Sequence, residues 1–220
     1  MKSHKRVHDM LLGPLEKPLL QWFCARMPLW VNSDILTILG ILGSVLIFFS
    51  YWLTNIDKNF LWLASLGIFI NWFGDSLDGT LARYRKVERP RYGFFIDHIL
   101  DSFSAVLFFI GIGLSPYVRL EIAALACITY LLLLVLININ TVVGGEFKIS
   151  YAKIGPTEIR IIFILANTII FFLGNPEINL GFGSMSVFNL FITIIATVFF
   201  ITFVMLTFTG AVKWAKRDSR

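Results

Sequence analysis

Residues 75–101 read DSLDGTLARYRKVERPRYGFFIDHILD, and the placement of four aspartates in that stretch decides the fold. Asp75 and Asp78 stand three apart, and Gly79 and Ala82 follow Asp75 at four and seven. At helical spacing these four positions share one face. Asp97 and Asp101 are four apart and share a face of the next helix. Each pair lies toward the end of a strongly apolar segment. The connector between them is short and basic, holding Arg83, Arg85, Lys86, Arg89, Pro90 and Arg91. A connector that short makes the two helices antiparallel neighbours, so the four acids converge. Carboxylates in or beside a membrane cost roughly 2.5–3.5 kcal/mol each on insertion scales. Four facing one another also repel, so something positive must sit among them. A divalent metal ion, Mg2+ or Mn2+, is the economical answer.

The composition agrees with that setting. The chain has 220 residues, 57% of them hydrophobic, and a mean hydropathy of +0.77. That is too apolar for a soluble domain and indicates an all-α polytopic membrane protein. Six spans are predicted: Ile35–Leu53, Phe60–Ala82, Gly93–Val118, Ile122–Gly145, Ile159–Leu173, and a sixth within Met185–Val212. Ahead of them, residues 1–34 read as a basic start and an interfacial amphipathic helix. Met10, Leu11, Leu12, Leu15, Leu19, Leu20, Trp22 and Phe23 form its apolar side, with Lys17 and Arg26 toward water. The domain reading is therefore 1–34 as this start, 35–212 as one membrane domain, and 213–220 as a basic tail. Asp9, Glu16, Lys17 and three prolines interrupt the start, so no cleavable signal peptide is expected.

Charge gives the orientation. Of the 19 lysines and arginines, all but Lys58 and Arg119 fall in the first 34 residues, the second and fourth connectors, and the tail. Six spans put all four segments on one side, which the positive-inside rule makes cytoplasmic. The acid cluster is expected to open to that side, in the inner membrane if the source is bacterial. Cys24 and Cys127 lack metal-ligand spacing and read as ordinary thiols. A missing His or Cys cluster argues against zinc, whereas carboxylate oxygens suit a hard cation.

The pattern D-x2-D-G-x2-A-R-x9-G-x3-D-x3-D runs unbroken through Asp75, Asp78, Gly79, Ala82, Arg83, Gly93, Asp97 and Asp101. It resembles the signature of the CDP-alcohol phosphotransferase family, membrane enzymes of phospholipid synthesis. The resemblance implies a CDP-linked donor, an alcohol acceptor and release of CMP. It implies that Asp75, Asp78 and Asp97 hold one or two ions, and that Asp101 is the general base, with a further contact to metal. Asn71, Asp78, Gly79, Ala82, Arg83 and Gly93 are then expected along the nucleotide. Gly79 and Gly93 leave room beside the backbone, and Arg83 supplies a positive donor at the rim. His98 lies three residues from Asp101, where it either orients that acid and shares proton transfer or simply packs.

A weaker resemblance covers GPTE at Gly155–Glu158, together with His98 directly after Asp97. Both are similar to the choline/ethanolamine branch of that family, which joins CDP-aminoalcohols to diacylglycerol. That branch has longer chains with more spans. Chain length instead matches the compact members that use CDP-diacylglycerol and a small alcohol, which makes that the first expectation. Lys148, Tyr151, Lys153, Glu158 and Arg160 are expected on the cytoplasmic face, shaping an acceptor pocket. A competing class is a cation- or proton-coupled transporter, which predicts acids at the bilayer midplane and inverted repeats. No such repeat appears, and no feature points to nucleic acid. Ala123, Ala124 and Ala126 on the fourth span offer a small-residue face for a homodimer.

Overall fold

The computed structural model describes residues 11–144, 155–179, 181 and 183–219. Seven helices are present among them: α1 (Gly13–Arg26), α2 (Ser33–Leu53), α3 (Phe60–Tyr84), α4 (Pro90–Gly113), α5 (Leu120–Gly144), α6 (Pro156–Leu173) and α7 (Val187–Asp218). The last six are long and apolar enough to cross a membrane. Most boundaries shift by a few residues, and two differ more widely from expectation. α4 stops at Gly113 rather than running to Val118, because Pro116 removes a donor and forbids the α conformation before it. α7 continues to Asp218, since Lys213, Lys216 and Arg217 end an apolar span without ending a helix. Its 32 residues span about 48 Å. Between α6 and α7 sits a small antiparallel hairpin that periodicity did not suggest, β1 (Glu177–Asn179) against β2 (Ser184–Ser186).

Asn32 caps α2 by accepting from the Ile35 amide. α3 ends with Lys86 in the left-handed region, at φ 56°, where Val87 N–H donates to Ala82 O.

α2 packs on both α3 and α4, α4 on α5, α5 on α7, and α3 on both α1 and α6. The α2–α3 contact is backbone against backbone. A Cβ added at Gly74 would fall under 3 Å from the backbone of Gly40 and from Leu36 O. One added at Gly43 would meet the Asn71 backbone equally closely. Small residues permit such an approach between membrane helices. Two apolar clusters flank the seam. One gathers Tyr51, Leu61, Ile68, Ile112 and Ile192, and the other puts Leu20 and Cys24 of α1 against Leu36, Leu77 and Leu81. Burial pushes the Cys24 thiol above its ordinary value, against the pull of Arg85 and Arg83. Ala123 and Ala126 are buried within the chain, and only Ala124 of that alanine group faces outward.

α1 is held by carboxylates. Oε1 of Glu16 accepts from Trp72 Nε1 at 3.0 Å, Thr157 Oγ1 at 2.9 Å and Ser76 Oγ at 3.3 Å. Glu158 accepts from the Leu12 amide at 2.8 Å and, through its other oxygen, from the Gly155 amide at 2.9 Å. Arg85 donates to the carbonyls of Met27, Pro28 and Val31 behind α1, and Arg89 pairs with Asp34.

Two consequences are measurable. Gly74→Val should lower stability by about 1–3 kcal/mol, the usual range for overpacking, while Gly93→Ala, with nothing within 4 Å of its added Cβ, should leave the melting temperature unmoved. Glu16→Ala should free α1, read as faster hydrogen exchange over Gly13–Arg26 and a shift in Trp72 emission.

Candidate active site

Cavity walls are built where the two apolar clusters part. Along α2 the wall carries Thr37, Gly40 and Ile41; along α3, Asn71, Asp75 and Asp78; along α4, Asp97, Leu100, Asp101 and Ser104. All four aspartates therefore reach one cavity, as their spacing predicted. Asp78 and Asp97 lie nearer the connector end, with Asp75 and Asp101 one turn deeper on each helix. Asp101 falls midway along α4 (Pro90–Gly113), deeper than a cluster confined to one face.

The four acids live in different surroundings. Asp78 is buried, 7% exposed, and its oxygens are occupied. Thr37 Oγ1 donates to Oδ2 at 2.7 Å, and the Gly79 amide donates to Oδ1. Ser33 Oγ donates to the Asp78 carbonyl at 2.9 Å, tying the same turn to the start of α2. Asp75 is half-buried and pairs with Arg160, Nη2 to Oδ2 at 2.8 Å. Asp97 is half-buried and Asp101 is exposed to the cavity. Asp101 stands in the field of Asp75, Asp97 and Asp78, with Arg160 as the opposing charge.

Other expected residues are distributed unevenly. Asn71 lines the cavity, yet both its amide hydrogens are committed, to Gly40 O at 3.1 Å and Ser44 Oγ at 2.9 Å. Gly79, Ala82, Arg83, Gly93 and His98 lie outside the lining residues. Arg83 curls over Gly79, its Nη2 donating to Thr80 Oγ1 at 3.1 Å. His98 stacks on Phe94 at 4.1 Å between ring centres, with Nδ1 2.7 Å from Phe94 O. That contact requires the proton on Nδ1, so in the neutral ring Nε2 is the basic nitrogen. Glu158 is buried and directs both oxygens to backbone amides, one of them the N-cap amide of α6 at Gly155. Arg160 reaches the acids instead of a separate pocket. Lys148, Tyr151 and Lys153 lie outside the described residues.

Three groups escaped sequence reading: Thr37, Ser33 and Ser104. A signal existed for the first two, since Ser33 and Thr37 are four apart on one face of an otherwise apolar span. Ser104 Oγ accepts from Ser44 Oγ at 2.8 Å, and Ser44 in turn accepts from Asn71 Nδ2, which makes a polar line into the cavity.

By donor chemistry the cavity suits a hard cation, with carboxylate oxygens and no sulfur or imidazole on its wall. Among the described residues, however, no three acids stand together as a preassembled ion cage.

Comparison with known proteins gives the chain its kin. The family model described as CDP-alcohol phosphatidyltransferase matches residues 30–207, which takes in all six spans up to the last third of α7. Cholinephosphotransferase 1 of Bos taurus is 36% identical over 108 residues, covering 46% of this chain and 25% of that protein. The Homo sapiens protein of the same name gives the same figures. That of Xenopus laevis is 31% identical over 116 residues, 50% of this chain and 28% of its own. The matched stretch thus spans about a quarter of the length of these relatives. The motif, the six apolar helices and the match together establish an integral membrane protein, and the chain belongs to the CDP-alcohol phosphatidyltransferase family.

Proposed function

We propose that the protein is a metal-dependent CDP-alcohol phosphotransferase of phospholipid synthesis, and that its donor is a CDP-aminoalcohol and its acceptor diacylglycerol. The observation that carries the reaction class is the convergence of four carboxylates from α3 and α4 on one cavity. Two observations favour this donor over CDP-diacylglycerol, which chain length had put first. The similar proteins are named cholinephosphotransferases. Asp101 also lies midway along a spanning helix, where the hydroxyl of a lipid arrives more readily than that of a water-soluble alcohol.

In this reading Asp75, Asp78 and Asp97 hold Mg2+ or Mn2+. Such an ion, when bound, neutralises the donor pyrophosphate and the charge that builds on phosphorus. Thr37 and the Gly79 amide fix the Asp78 rotamer, so that carboxylate needs no reorganisation. Asp101 takes the proton of the acceptor hydroxyl. The acceptor oxygen then bonds to the phosphorus distal to cytidine, the bond from that phosphorus to the bridging oxygen breaks, and CMP leaves. His98, through Nε2, takes part in moving the proton. Arg83, which lies over Gly79, meets the nucleotide phosphates at the rim, beside the open edge of Gly93. The end of the molecule carrying the α3–α4 connector faces the cytoplasm, by the excess of lysine and arginine there.

CMP release in lipid nanodiscs tests this directly. With Mn2+ and diacylglycerol, CDP-choline or CDP-ethanolamine should give CMP, and a chelator should stop it. Asp97→Asn and Asp101→Asn should abolish release, with nucleotide binding partly retained in Asp101→Asn. Thr37→Val should lower the rate about 10–100-fold, as loss of a ligand's supporting hydrogen bond does. Release only from CDP-diacylglycerol with a soluble alcohol would reassign the donor. Silence with every donor, and no CDP binding, would sink the enzyme reading.

A further inference from the structure

We propose that Arg160 is a resident counter-cation of the acid cavity, competing with the incoming divalent ion for Asp75. The inference rests on the metal reading above and adds to it a built-in rival for one ligand.

Four acids on one cavity need a positive partner, and the basic α3–α4 connector is the nearest source of one in the sequence. The connector arginines Arg85 and Arg89 are engaged elsewhere, on the carbonyls behind α1 and on Asp34. The partner comes instead from α6. Arg160 puts Nη2 2.8 Å from Asp75 Oδ2, with its side chain 19% exposed and that of Asp75 37%. Its guanidinium also stands in the field of Asp101. One arginine thus pairs directly with Asp75 and opposes Asp101 through its field alone.

Asp75 Oδ2 is bound to the guanidinium, and among the described residues no three acids stand together as a set. A cation entering among Asp75, Asp78 and Asp97 repels the guanidinium and claims the same oxygen. The two cannot both hold it at full strength. By linkage the antagonism is reciprocal: whatever factor Arg160 takes from ion affinity, the ion takes from the Arg160–Asp75 pair.

The exchange needs no helix to move. Arg160 lies one turn into α6, whose first turn is fixed by Glu158 on the Gly155 amide and by Thr157 on Glu16. Its backbone stays anchored while a long side chain with several rotamers swings away. Between loaded cycles, Arg160 keeps Asp75 and Asp101 compensated, which avoids the cost of bare carboxylates at membrane depth.

Mn2+ binding and thermal unfolding, measured on purified wild type, Arg160→Met and Arg160→Lys in nanodiscs without nucleotide, decide the matter. Arg160→Met should bind Mn2+ at least about fivefold tighter, the lower end of ordinary coupling between linked sites. Its ion-free melting temperature should fall, and saturating Mn2+ should raise it by more than it raises wild type. Arg160→Lys, a weaker partner without the planar fork, should fall between the two, and it carries the test if Arg160→Met does not fold. Equal or weaker Mn2+ binding in the variants, with wild type binding normally, would overturn the proposal and leave the metal reading standing. No Mn2+ binding by wild type would overturn both. A purely structural arginine would lower stability without tightening the ion.

Discussion

Everything in the acid cavity depends on how closely α2 and α3 approach. Gly40, Gly43 and Gly74 let the two backbones touch, and no other residue type fits at Gly43 or Gly74 without displacement. That contact brings Thr37 within hydrogen-bonding distance of Asp78 and Asn71 within reach of the Gly40 carbonyl. In hydrocarbon there is no hydrophobic drive to join helices, so close packing and satisfied polar groups must do it. Here the same contact supplies both. The polar links also continue away from the cavity, where Tyr51 donates to Asn167 and Asn167 to Ser65, joining α2, α6 and α3 in the opposite half.

Charge is the second organising constraint. Acids were placed where burial is costly, and the fold answers with counterparts of different kinds. Asp78 receives a hydroxyl and an amide, Asp75 a guanidinium, Glu158 two backbone amides, and Glu16 an indole and two hydroxyls. The last two lie outside the cavity but tie α1 to α3 and α6, the helices that bear Asp75 and Arg160. The amphipathic start of the chain is therefore part of the scaffold that sets the ion pair, besides being a surface segment.

Much of this was legible from residue spacing. Helical periodicity put Asp75 with Asp78 and Asp97 with Asp101, and a short connector folded the pairs together. Span number followed from apolar runs. Partners distant in sequence were not legible. Arg160 looked like one more basic residue of a connector, since nothing local says that a side chain 85 positions from Asp75 turns inward. Glu158 looked available for a ligand because a carboxylate that binds backbone amides and one that binds a substrate share the same letter. The hairpin escaped because three-residue strands carry too little alternation to be read.

α4 is held very unevenly along its length. Its buried residues, Phe109, Gly111, Ile112 and Gly113, all sit at the end remote from the connector, where Gly111 presses on the backbone of Phe48. The half bearing Asp97 and Asp101 has no such embedding. Asp97 lies about 21 Å from Gly111 at the ordinary rise per residue, so a tilt of roughly 3° about that contact would shift it by about 1 Å. The spacing between the two pairs of acids is therefore sensitive to packing at the opposite end of α4.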